Sequence, residues 1–161
     1  MGDNPRNVAS KLIVKRSLQE HEPADNTDKN GDGVNRDGSL SGMLIVAGTF
    51  TAGSTGTAVL TTVIQHSDED DNYDDVFVAA VTHNIVVGST GVAKYCFVLP
   101  IDFSGAQKWI RPVVNLNGSD VAAVSAHTMT GVFVLGGLVE KPDDNYDGSG
   151  YADHDLSDVS A

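Results

Sequence analysis

Apolar and polar residues alternate with a period of two through the middle of the chain, a pattern typical of β-strands. In residues 57–65 the alternation places Ala58, Leu60, Thr62 and Ile64 on one face of a strand. Residues 128–135 alternate in the same way, but both of their faces carry valine or larger apolar groups. We therefore expect one outward face of the protein to contact a partner instead of water.

Runs rich in Val, Ile, Thr, Phe and Tyr recur between residues 42 and 139, and short turn-forming segments separate them. The eight runs are Met43–Phe50, Thr57–His66, Val76–Val81, Ile85–Val87, Lys94–Leu99, Trp109–Leu116, Val121–Ser125 and Thr128–Leu135. No amphipathic helix interrupts them. The sequence therefore predicts an all-β sandwich or barrel over residues 42–139.

The segments on either side have a different composition. Residues 1–20 are predicted to form a basic arm, residues 21–41 an acidic loop rich in Gly, Asn and Asp, and residues 140–161 an acidic flexible tail. Within the arm, the alternation in Lys11–Lys15 allows a strand that adds to a sheet edge or to another chain. A helix through Val8–Leu18 is the alternative. Because a loop as long as 21–41 is unusual inside a compact domain, the domain is expected to begin after it.

The formal net charge is −12, which argues against binding to nucleic acid because phosphate contacts need clustered Lys and Arg. The bases Arg6, Lys11, Lys15 and Arg16 stand against Asp3 alone in the first sixteen residues. Such an arm is typical either of docking on a negative surface or of a solvated terminus. No stretch has the length and hydropathy of a membrane span, and no signal peptide is evident, so we expect synthesis in a cytoplasm. Cys96 is the only cysteine and is expected in the core or at an interface.

One short motif resembles half of a calcium-binding loop. Asp28, Asn30, Asp32 and Asp37 are the candidate metal ligands, because oxygens at positions 1, 3 and 5 converge in such loops. The second half departs from the pattern, since Ser39 occupies the position of the bidentate glutamate. The alternatives are a calcium site and a flexible acidic linker. No other cofactor is indicated.

Catalytic motifs are not found. The five histidines have no metal-ligand spacing, and there is no nucleophile elbow, phosphate loop or dinucleotide fingerprint. We therefore predict no catalytic residues and no enzyme activity. Trp109 would stack on a sugar if it were exposed, but its place at a strand start is more typical of a core or rim residue.

The order of the strands and turns resembles the jelly-roll capsid cement (decoration) proteins of tailed bacteriophages. The resemblance covers roughly residues 43–139 and rests on five segments. They are Gly48–Gly53, Thr57–Gln65, Phe97–Pro100, Trp109–Val114 and Thr130–Leu135. It implies an eight-stranded jelly-roll β-sandwich and a homotrimer. It also implies a place on the outer capsid surface of the virion, where the protein would bridge major capsid subunits. The long loop 21–41 and the acidic tail depart from the family pattern.

Under this interpretation, Arg6, Lys11, Lys15 and Arg16 are the candidate capsid contacts. Trp109, Arg111 and Phe133 are the candidate residues of the trimer or shell interface. The alternative function is a carbohydrate-binding β-sandwich for host attachment, which would present Trp109 and Tyr95 in one exposed groove.

Overall fold

The computed structural model describes residues 12–21, 26–73, 75–89 and 91–138, and all of the regular structure in these ranges is β-strand. The strands are β1 Ile13–His21, β2 Lys29–Asn30, β3 Val34–Asn35, β4 Ser39–Thr51, β5 Gly56–Ser67, β6 Asp75–Val87, β7 Val92–Asp102, β8 Trp109–Asn117 and β9 Ser125–Leu138. The described residues contain no helix long and apolar enough to cross a membrane.

The strand pairing is nested, and all of the pairs are antiparallel. Strand β1 pairs with β9, β2 with β8, β4 with β7, and β5 with β6. The chain thus follows the path of one long β-hairpin that is wound around the core. The pairs β4–β9 and β5–β8 then connect the strands of this hairpin into two sheets. The sheet orders are β1-β9-β4-β7 and β2-β8-β5-β6, with β3 also beside β8. If β2 and β3 are counted as one interrupted strand, this is an eight-stranded jelly roll.

The core lies between the two sheets, because each long strand turns alternate side chains inward. The first sheet contributes Leu44, Val46, Phe50 and Phe133 among others, and each of these is fully buried. The second sheet contributes residues that include Ala58, Leu60, Ile64, Ile110 and Val114. The β5 face predicted from the alternation is therefore the core face.

Individual strands differ from the runs in the sequence, although the all-β sandwich itself is confirmed. The predicted runs Val76–Val81 and Ile85–Val87 are one strand, β6. Thr82, His83 and Asn84 continue its pairing with β5, since an edge strand tolerates polar residues. The predicted run Val121–Ser125 is mostly a turn, because Ala122 and Ala123 have positive φ angles of 40° and 52°.

Three strands come from segments that the sequence analysis placed outside the sandwich. Residues 13–20 of the predicted basic arm, together with His21, form the edge strand β1, which settles the choice between strand and helix there. Residues 29–30 and 34–35 of the predicted loop pair with β8. Strand pairing therefore extends to Ile13, well before residue 42. These pairings join residues far apart in the chain, so local composition does not reveal them.

Candidate interaction surfaces

The outward side of the sheet β1-β9-β4-β7 carries a cluster of apolar side chains beside threonines and a few charged residues, and we call this side the apolar face. Alternation places its members opposite the core residues of the same strands, and the strand register brings them side by side. The apolar members are Val14, Met43, Ile45, Ala47, Val92, Cys96, Val98, Pro100, Val132 and Val134. Val14 is 66% exposed and Val98 is 50% exposed, so the face is open to solvent in the single chain. This is the outward face with apolar groups that the alternation in residues 128–135 predicted.

The lone thiol of Cys96 is exposed on the apolar face. The preceding residue of β7, Tyr95, has its side chain on the opposite side of the sheet and is buried in the core. Of the two expected environments for Cys96, the structure therefore excludes the core.

The four predicted capsid contacts do not form one cluster in the described structure. Arg6 and Lys11 lie outside the described residues. Lys15 faces inward along β1, where its Nζ donates to the Asn35 carbonyl at 2.8 Å and is paired with Asp37. Its charge thus holds β1 against the segment after β3. Arg16 points outward at the border of the apolar face and is exposed.

The three predicted interface residues occupy different surroundings. Trp109 is half-buried at the start of β8, with Lys108 Nζ 6.0 Å from the ring centroid. Arg111 lies on the outward side of the second sheet. Phe133 is fully buried and packs against Phe103 at 6.4 Å between ring centroids. The prediction for Phe133 needs correction, because a side chain without solvent exposure belongs to the core and cannot contact a partner.

Arg111 anchors the acidic loop, defined as residues 68–73 between β5 and β6. Its guanidinium carbon lies 4.5 Å from the centroid of the Tyr73 ring, and its Nε donates to Gln65 Oε1 at 2.9 Å. The Tyr73 hydroxyl in turn donates to Asp70. Burial, together with this hydrogen bond, raises the pKa of Tyr73. Tyr73 is thus the buried attachment point of a loop whose carboxylates are exposed.

Gly33 makes room for the same attachment. A Cβ atom at position 33 would overlap Asp70 Oδ1 and the Tyr73 hydroxyl. The acidic loop therefore lies directly on the segment that joins β2 to β3. An open depression beside the acidic loop is lined by Ser67, Asp68, Glu69, Asp71, Asn72, Asp75 and Gln107.

Two of the four candidate calcium ligands are engaged in other contacts. Asp28 Oδ1 accepts a hydrogen bond from Asn115 Nδ2 at 2.8 Å, and Asp37 is paired with Lys15. Asn30 belongs to β2, and Asp32 is exposed beyond it. In the described ranges, no group of three or more His, Cys, Asp or Glu side chains is arranged to hold a metal ion. The calcium site stays a prediction.

The histidines that lie near strands have separate environments. Nε2 of His127 lies 2.9 Å from the Tyr95 hydroxyl inside the core, beside Phe50. His66 stacks near Phe77, with 5.2 Å between ring centroids, and its Nδ1 accepts from the Gln107 backbone N–H.

The groove that the carbohydrate-binding alternative requires is not formed. Tyr95 is only 7% exposed and points into the core from β7. Trp109 lies on β8 of the other sheet. These two aromatic side chains therefore share no outward face on which a sugar would stack.

The fold and these surfaces define a jelly-roll β-sandwich with an apolar outward face. No family model matches the sequence, and no curated protein matches it. Similar solved structures include a chain of the infectious bursal disease virus Gx strain, with 12% identity and a TM-score of 0.45. That similarity covers 81% of this chain and 33% of the viral chain, so this chain spans a third of that protein's length.

Two plant viruses supply further similar structures. The tobacco streak virus coat protein has 10% identity and a TM-score of 0.32, over 84% of this chain and 92% of that chain. A chain of Desmodium yellow mottle tymovirus has 11% identity and a TM-score of 0.25, over 82% and 90%. These similarities are remote. The jelly-roll assignment is based on the strand pairing of this chain itself.

Proposed function

We propose that this chain is a structural virion protein that binds the outside of a phage capsid as a homotrimer and cements neighbouring major capsid subunits. The observation that carries the proposal is the jelly roll with its exposed apolar face. An apolar face of this kind is unfavourable in water, and the assembly of copies on a repetitive shell would bury it. The resemblance of the strand order to capsid cement proteins supports the same role.

The proposed role needs no catalysis and no cofactor. A protein that binds the assembled, expanded shell better than its less stable states stabilises that shell by mass action. Contacts repeated over a whole head add through avidity, so each single contact can be weak. The basic residues of the segment before β1 are proposed to dock on a negative region of the shell, and the virion surface is the proposed location.

The test uses expanded heads of the phage that encodes this chain, assembled in the absence of the chain. The purified full chain is then added to these heads. We expect particle-bound protein after sedimentation and a higher temperature of head rupture. Heads that bind none of the protein and rupture at the unchanged temperature would refute the cement role.

The role of the basic residues before β1 is tested separately with a double variant that carries both Arg6→Gln and Lys11→Gln. These residues precede β1, so the strand pairs from Ile13 onward stay unchanged. We expect weaker binding to heads, with the largest difference at low salt because exposed charges are screened by salt. Lys108→Gln, which removes one exposed cation immediately before β8, is the control and should bind like the wild type.

A further inference from the structure

We propose that the apolar face is the surface through which copies of this chain bind one another. This inference rests on the proposed homotrimer, for which it supplies the contact surface. The described part of the chain has eight exposed large hydrophobic residues, and four of them lie on this face. They are Val14, Met43, Val92 and Val98.

The apolar side chains form one row across all four strands and a second row across β9, β4 and β7. In one row the register aligns Val14 with Val134, Val134 with Met43, and Met43 with Pro100. The next row runs from Arg16 at the border through Val132 and Ile45 to Val98. Neighbouring side chains on one sheet face lie about 4.5–5.5 Å apart, so these rows present a continuous apolar surface.

The size of the face is sufficient for a specific protein contact. Strands β4 and β7 are paired over the eleven residues from Ser41 to Thr51. With a rise of about 3.4 Å per residue and strands about 4.8 Å apart, the four strands present roughly 700 Å². A standard interface buries about 800 Å² per partner. The whole outward side of this sheet, its polar positions included, is therefore close to the area that one partner contributes to a standard interface.

The distribution of charge favours another copy as the occupant. The whole chain has a net charge of −12, so two copies repel each other unless their contact avoids carboxylates. On the apolar face the described charged side chains are Arg16, Lys94 and Asp102, and Asp102 lies at its end. The carboxylates of the acidic loop lie at the end of β5, in the other sheet. This face thus permits close approach of two negatively charged chains.

Capsid docking and self-association would use different parts of the chain. The candidate docking bases Arg6 and Lys11 precede β1 in the chain, whereas the rows on the apolar face lie across the sheet. A threefold assembly brings two different patches of neighbouring copies together. The β1 border with Arg16 and the β7 border with Asp102 are opposite borders of this face, so Arg16 of one copy can approach Asp102 of the next.

The experiment compares the full chain with Val98→Asp by sedimentation velocity over a range of protein concentrations, without heads. The introduced carboxylate would be buried unpaired in the interface, so we expect the dissociation constant of the assembly to rise at least about tenfold. Val86→Asp is the matched control, because Val86 is 78% exposed on the outward side of the other sheet. It should leave the dissociation constant within about twofold.

Cys96 provides a second measurement in the unmutated protein. The thiol is exposed on the apolar face, so its reaction with a maleimide should slow as the concentration rises and copies associate. The proposal would be overturned if the wild type were monomeric at every concentration. It would also be overturned if Val98→Asp and Val86→Asp changed the dissociation constant equally, or if Val98→Asp associated as well as the wild type. If self-association still depended on concentration but the protein did not bind heads, only the capsid role would be refuted.

Discussion

The Tyr95 hydroxyl and Nε2 of His127 lie 2.9 Å apart inside the sandwich, where strands β7 and β9 flank β4. The side chain of Tyr95 crosses Gly48 on the intervening strand, and a Cβ atom there would overlap the Tyr95 ring. This contact therefore links strands β7 and β9 across β4 through a buried polar pair. Its position explains why Tyr95 cannot serve an outward aromatic groove.

Removal of the Tyr95 hydroxyl is expected to destabilise the fold. The change Tyr95→Phe leaves His127 Nε2 without this partner, and a buried polar group that loses its hydrogen bond costs about 1–3 kcal/mol. Urea unfolding monitored by circular dichroism measures the difference in free energy of unfolding. The control Tyr151→Phe, in the predicted tail, should unfold like the wild type. An unchanged midpoint for Tyr95→Phe would contradict a stabilising hydrogen bond.

Alkaline pH is expected to destabilise the protein through Tyr73 and Tyr95, which are buried in the described part of the chain. Burial raises the pKa of Tyr95, and burial together with the Asp70 hydrogen bond raises the pKa of Tyr73 above the ordinary value of 10.0. The unfolded chain therefore loses these protons first. Their contribution to stability is complete below about pH 10 and is lost as the pH rises through the folded-state values. Unfolding midpoints measured upward from neutral pH should fall more steeply in the wild type than in Tyr95→Phe.

The packing of the acidic loop is expected to depend on Gly33. In Gly33→Ala the new methyl group would displace Asp70 and Tyr73, and overpacking of this kind costs about 1–3 kcal/mol. Hydrogen exchange should also quicken in residues 68–73. Gly88→Ala is the matched control, since a Cβ there meets nothing within 4 Å and the φ angle is not positive. Equal effects of the two changes would show that the close approach at Gly33 is unimportant.

The correction for Phe133 can be tested in the isolated protein. Phe133→Ala should lower the free energy of unfolding by about 3–5 kcal/mol, because it leaves a cavity between the sheets. Its neighbour Val132 faces outward, so Val132→Ala should cost about 1 kcal/mol or less in stability. If Phe133→Ala weakened self-association but not stability, Phe133 would be an interface residue after all.

Much of the fold could be predicted because strand periodicity is a local property. Alternation in β5 identified Ala58, Leu60, Thr62 and Ile64 as one face, and all four are fully buried. The apolar residues on both sides of β9 likewise predicted an outward face suited to a partner. The sequence left β1 open between strand and helix, missed β2 and β3, and divided β6, in segments whose local composition is polar and where pairing alone keeps the chain extended.

The sequence by itself determined the class of fold and the acidic character of the chain. It also determined which residues share a face of each clearly alternating strand, because these properties follow from neighbouring residues. Only the tertiary structure decided that Lys15 is paired with Asp37, that Phe133 is buried, and that Cys96 lies on an open face. Period-two alternation separates two faces but does not state which of them is covered. In a jelly roll the cover comes from the facing sheet, whose strands are distant in sequence, and only the long-range pairing into two sheets settles which side chains are buried between them.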